Sequence, residues 1–132
     1  MIVVDTKVLA CLYLPGEYTA HAEALMRRDS QWAAPALWRS EFKNILAGYI
    51  RRKTLTFDQA MGLQKEAENL LAGFEVEVES HAVLELVCGS DCSVYDCEFT
   101  ALAIQLNTRL VTTDGKLLNS FPGDAVALNA NF

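Results

Sequence analysis

Residues 93–114 read SVYDCEFTALAIQLNTRLVTTD, and this stretch decides the fold class. Ser93 opens a helix through Leu106 that is apolar almost all the way round, with Val94, Cys97, Phe99, Ala101, Leu102, Ala103 and Ile104. Such a helix is expected deep in the protein. Residues 109–113 follow as the next strand, which ends on Asp114. A buried helix feeding a buried strand is the repeating step of a sheet with helices packed against it.

Reading outward, the same alternation recurs. Ile2-Val3-Val4 is a buried strand ending on Asp5, and the helix after it runs to about Leu14, where Pro15-Gly16 breaks it. Residues 18–28 form a helix with Ala22, Leu25 and Met26 on one face, and residues 31–34 a short strand closed by Pro35. Residues 37–52 form a long amphipathic helix, and Thr56-x-x-Gln59 is a capping box for the helix that runs to about Leu71. Phe74-Glu75-Val76-Glu77-Val78 alternates strictly and is expected as a strand with one wet face. Ser80 is expected to cap a helix ending near Cys88-Gly89; residues 116–120 form a last short helix and residues 125–128 the final strand. Strands alternating with helices predict an α/β domain whose parallel sheet is covered on both faces, with one domain over residues 1–132.

Composition fits a folded domain: 52% of residues are hydrophobic and 21% charged, and no repeat or low-complexity tract occurs. Met1 leads directly into Ile2-Val3-Val4-Asp5, too short an apolar run for a signal peptide, and no later run approaches a membrane span. A soluble, cytoplasmic protein is expected. Cys11, Cys88, Cys92 and Cys97 are then expected as buried, reduced thiols. A zinc site from Cys88, Cys92, Cys97 and His81 lacks a CxxC pair and is set aside.

The net charge of −6 argues against a nucleic-acid binder, unless several of the acids form a metal site that inverts the local field. The basic clusters Arg27-Arg28 and Arg51-Arg52-Lys53 read singly as solvated helix ends.

Four acids invite that exception. In an open parallel sheet, ligands bind beyond the carboxyl ends of the strands, and two strands finish there on Asp5 and Asp114. Either is also an ordinary helix cap. Glu41 lies at the edge of the stripe Leu37, Trp38, Phe42, Ile45, Leu46 and Tyr49. Arg39 and Lys43 are not spaced to pair with it within the helix, so Glu41 is either a rim residue or a ligand. Asp96 completes a Ser93-x-x-Asp96 capping box, or else faces the sheet edge. Taken together, converging acids repel one another unless a cation joins them, and hard cations such as Mg²⁺ and Mn²⁺ prefer carboxylate oxygens. Phosphodiester cleavage uses such a site. No catalytic triad or phosphate loop competes, and His21 and His81 sit on helices without acidic partners at useful spacing.

Val3-Val4-Asp5-Thr6 with Val8-Leu9, Glu41 in its helix, Ser93-Val94-Tyr95-Asp96-Cys97 with Ala101-Leu102-Ala103, Leu110-Val111-Thr112-Thr113-Asp114 with Lys116-Leu117, and Val126-Ala127-Leu128-Asn129 together resemble the ordered motifs of the PIN-domain family. The resemblance covers essentially the whole chain. It implies a three-layer α/β/α sandwich with a central, mainly parallel sheet, and a Mg²⁺ or Mn²⁺ site at Asp5, Glu41, Asp96 and Asp114, supported by Thr6 and Thr112. It also implies RNA as substrate. At this size the chain is similar to VapC-type ribonuclease toxins, which implies a homodimer and a small antitoxin partner.

Two departures stand out: Cys97 replaces the usual Ala, and Lys7 stands where the family usually carries Asn. The ammonium of Lys7 either contacts substrate phosphate, points to solvent, or competes with a metal for Asp5. Other readings are a housekeeping RNA-processing nuclease and a catalytically weak domain that binds a partner or RNA. A phosphatase of doubly wound type needs a second Asp where Lys7 stands, and a receiver lacks its acceptor on a later strand.

Overall fold

The computed structural model describes residues 1–130. Four short strands, β1 (Ile2–Val4), β2 (Trp32–Ala33), β3 (Leu110–Thr112) and β4 (Ala125–Ala127), form one sheet. Its order is β2-β1-β3-β4, and every pairing is parallel. Val3 stands opposite both Ala33 and Leu110, and Val111 opposite both Val4 and Val126. Strands buried on both faces read as continuous apolar runs, as β1 and β3 do.

Helices complete a three-layer α/β/α sandwich. They are α1 (Thr6–Tyr13), α2 (Thr19–Arg28), α3 (Trp38–Arg51), α4 (Phe57–Leu70), α5 (Ser80–Cys88), α6 (Val94–Gln105) and α7 (Gly115–Ser120). Helix α1 packs on α2 and α3, α3 on α4, and α5 on α6, which in turn lies on β1 and β3. The stripe predicted on α3 carries the packing: Trp38, Phe42 and Leu46 are buried, with Trp38 and Phe42 rings 6.2 Å apart. The Thr56–Gln59 capping box forms with both of its hydrogen bonds. No described helix is long and apolar enough to cross a membrane.

Several expectations need correction. Residues 74–78 are not a strand; their sheet pairing is a single bridge between Ala34 and Glu75. The Ala34 amide donates to Phe74 and the Val76 amide to Ala34, after which the partner chain turns at Pro35 into α3 and offers no further ladder. What fixes the segment instead is a bidentate fork from Arg39 to Glu75, at 2.7 Å for both contacts, with the Trp38 indole N–H donating to the same carboxylate at 2.9 Å. Ser80 is not a cap: Glu79 takes that position, and Ser80 is the first helical residue. Helix α6 is not covered all round, since Val94 and Ile104 are 43% and 48% exposed although Cys97, Phe99, Leu102 and Ala103 are buried. The thiols are free, but Cys88 is exposed and Cys11 half-buried. His81 does have an acidic partner, Glu85 one turn on at 3.4 Å.

Candidate active site

The chain leaves β1 for β2 on one side and later adds β3 on the other. The crevice beyond the carboxyl ends of β1 and β3 is therefore the topological switch point of the sheet. Asp5 and Asp114 both arrive there because each follows one of these strands and caps the next helix. Asp5 Oδ1 accepts from the Val8 amide at 3.0 Å, and Asp114 Oδ1 from the Lys116 amide at 2.8 Å. The capping reading of both residues thus holds, and capping keeps each of them at the sheet edge.

Thr112 ties the two together. Its Oγ1 accepts the Asp114 amide at 3.0 Å and donates its own proton to Asp5 Oδ2. Thr112 is fully buried and Asp5 only 7% exposed, so this contact is shielded from water. Burial pushes the Asp5 carboxyl up to about 6; Thr112, the Val8 amide and the charge of Lys7 pull it down, and Asp114 pushes it up.

Glu41 is half-buried on α3, and Thr6 donates to its Oε1 at 2.7 Å. Burial raises its pKa, Thr6 lowers it, Asp96 and Glu98 raise it, and Lys7 lowers it. Asp96 lies in the first turn of α6, where its amide donates to the Ser93 hydroxyl at 3.1 Å. Burial and then Asp114 raise its pKa, against Ser93, Lys7 and Lys116. The four acids named from the sequence therefore feel one another across the crevice: Asp5 with Asp114, Asp114 with Asp96, and Asp96 with Glu41.

Glu98 and Lys116 join this field without having been singled out. For Glu98 the signal was present, as a charged residue inside an otherwise apolar helix. Lys7 is exposed and, among the described residues, makes no ion pair within 4.0 Å, yet its charge acts on three of the acids.

Among the described residues, no group of three or more His, Cys, Asp or Glu side chains stands close enough to enclose a metal ion. The donors nonetheless suit a hard cation: they are all carboxylates, and three of them hold protons more tightly than usual, first because of burial and then because of neighbouring acids. Mg²⁺ commonly keeps several waters and takes one or two carboxylates plus substrate phosphate, and an open site of this kind fits it.

Comparison with known proteins agrees with this fold. No family model matches the chain. The structure of PAE2754 from Pyrobaculum aerophilum superposes with a TM-score of 0.76 at 21% identity, covering 96% of this chain and 90% of that one. That of FitAcB from Neisseria gonorrhoeae gives 0.72 at 16% identity, covering 97% and 98%. A curated relative, Ribonuclease VapC3 of Pyrobaculum aerophilum, is 27% identical over 124 residues, 92% of this chain and 95% of the relative. The chain has a PIN-like fold and is similar in sequence to Ribonuclease VapC3. At such low identity the two solved structures speak for the fold alone, whereas the VapC3 match extends the resemblance to the sequence. The PIN-like reading of the four motifs thus agrees with the fold that carries them.

Proposed function

We propose that this PIN-like protein is a metal-dependent endoribonuclease, the toxin of a VapBC-type toxin–antitoxin module. What supports the reading most is that Asp5 and Asp114 leave the sheet at its switch point while Asp96 feels Asp114 and Glu41 feels Asp96. Electrostatic coupling links all four, although they lie far apart in the sequence. The relative named as a ribonuclease supports the choice of RNA among phosphodiesters.

The four acids would hold Mg²⁺ or Mn²⁺. When bound, such an ion supplies a polarised phosphate and a water acidic enough to attack it. The chain's own residues set the stage. Thr112 and the Val8 amide fix both oxygens of Asp5, and Thr6 fixes Glu41. Thr112 also favours the ionised form of Asp5, so the carboxylate is charged at neutral pH despite its burial. Lys7 and Lys116 place positive charge beside the acids, which a phosphodiester anion needs in order to approach them.

The same reading assigns a homodimer and a small antitoxin partner. The exposed Leu84 of α5, with Val94 and Ile104 of α6, supports an apolar contact with a second copy. A cleft rich in carboxylates suits an arginine from the antitoxin, whose guanidinium forks onto them.

Incubation of purified protein with RNA in Mn²⁺, Mg²⁺ or EDTA tests the function. Cleavage that requires the metal and is lost in Asp5→Asn is expected. Metal-independent cleavage would overturn the mechanism, and RNA binding without cleavage would favour a catalytically weak binding domain.

A further inference from the structure

Beside the acids, the first turn of α1 and one face of α3 enclose an open hollow of about 370 Å³ lined by Thr6, Lys7, Ser40, Glu41, Asn44 and Ile45. Its polar ends differ in how they are engaged. Thr6 and Glu41 are bonded to each other at 2.7 Å, whereas no described residue pairs with the Lys7 ammonium or hydrogen-bonds the side chains of Ser40 and Asn44. Ser40 and Asn44 are one helical turn apart, so they stand side by side along the wall of the hollow. All three are exposed.

We infer that this hollow is a substrate subsite in which Lys7 grips a backbone phosphate of the bound RNA while Ser40 and Asn44 hydrogen-bond the adjoining sugar–phosphate. Among the described residues, Lys7 is the only basic one lining it. An anion drawn toward several carboxylates needs a cation at the approach, and Lys7 is the charge that reaches Asp5, Glu41 and Asp96 alike, whereas Lys116 is felt by Asp96. A lysine stem lets the ammonium stay solvated at the rim until a phosphate displaces its water. Hydroxyl and carboxamide groups serve phosphate oxygens and ribose hydroxyls with little regard to base, so the subsite orients the strand and reads no sequence. The path of the strand follows: the RNA backbone crosses the first turn of α1 and continues along α3.

This inference rests on the ribonuclease reading, and its test keeps the two apart. Binding of a labelled single-stranded RNA is measured by fluorescence anisotropy in EDTA at several salt concentrations, so that no cleavage is needed. Lys7→Gln is expected to weaken binding about fivefold at 0.1 M salt and to reduce the slope of log affinity against log salt by about 0.7, the value for one phosphate contact on a single strand. Asn44→Ala should weaken binding about threefold with the slope unchanged, because it removes a neutral contact. Lys65→Gln, on α4 outside the hollow, should change neither. An unchanged slope in Lys7→Gln overturns the subsite while leaving the enzyme reading intact. A wild-type protein that binds no RNA in EDTA overturns the subsite, and one that also fails to cleave RNA in Mn²⁺ overturns both. Calorimetric Mn²⁺ titration gives the remaining outcome: a gain of fivefold or more in Lys7→Gln would make Lys7 an internal counter-ion of the acids and not a phosphate grip.

Discussion

Thr112 and Asp5, 107 positions apart in the chain, are joined by a hydrogen bond from hydroxyl to carboxylate. The parallel pairing of β1 with β3, which sets Val111 opposite Val4, brings them together. Because the Thr112 oxygen already accepts the Asp114 amide, its proton is free to point at Asp5. Thr112→Val keeps the shape and removes the donor. The Asp5 carboxyl should then titrate above about 6, since the strongest influence opposing burial is gone. RNA cleavage should lose its acid limb at a correspondingly higher pH, with about 1–3 kcal/mol of stability lost from the stranded Asp114 amide and Asp5 oxygen. A pH–rate profile beside thermal melts measures both, and a profile identical to wild type would contradict the role given to Thr112.

Asp5 also makes the metal-free fold sensitive to pH. An acid whose folded pKa is raised costs the folded state as it ionises. The penalty is absent below the ordinary value of 3.8, grows to about pH 6 and stays constant above. Its ceiling is about 3 kcal/mol, from roughly 1.4 kcal/mol per pKa unit. Asp5→Asn should therefore be more stable than wild type at pH 7.5 in EDTA, with the advantage disappearing near pH 4. Equal melting temperatures at pH 7.5 would show that the carboxylate is not strained by its burial.

Arg39 and Glu75 fasten residues 74–78 where the sheet does not. Arg39 lowers the Glu75 pKa, so this attachment is present at neutral pH and lost as pH falls through the depressed value. In Glu75→Gln, amide exchange should accelerate at Val76, while the amides of α1 and β3 keep their protection. Hydrogen-exchange mass spectrometry reads this directly; unchanged exchange would mean that the single bridge to Ala34 suffices.

Gln64 is buried between α3 and α4, and its Oε1 has no hydrogen-bond partner among the described residues, although Nε2 donates to Glu68 at 3.0 Å. An unsatisfied buried acceptor costs about 1–3 kcal/mol, so Gln64→Met, close in volume, should stabilise the protein by about 1 kcal/mol. Urea melts measure the change, and a destabilised variant would show that the Glu68 contact outweighs the orphaned oxygen.

The fold was legible wherever burial wrote itself into the sequence. Ile2-Val3-Val4 and Leu110-Val111 announced strands, and the Thr56–Gln59 pair announced a helix start that formed as read. Residues 74–78 misled because alternation records which face is wet and says nothing of whether a neighbouring strand exists to pair with; Pro35 ends that neighbour. On α6, Val94 and Ile104 misled because apolar residues look alike whether a helix is covered by the same chain or left open. At the site, the four acids could be named because their strands and helices could be ordered. Local spacing could not reveal that Thr112 would serve Asp5 across the crevice, and only the family resemblance pointed to it. Nor could it show that Glu98 would face Glu41, since both relations are made by strand order and helix packing.

The central claim is that four separated acids form one metal-dependent nuclease site. The most direct measurement is single-turnover RNA cleavage by wild type and by Asp5→Asn, Glu41→Gln, Asp96→Asn and Asp114→Asn, each in saturating Mn²⁺ and in EDTA. Amides bind hard cations poorly, so each variant should lose about a hundredfold or more while its circular dichroism stays native. EDTA should silence the wild type. Full activity in EDTA, or in any two of the four variants, would contradict the account.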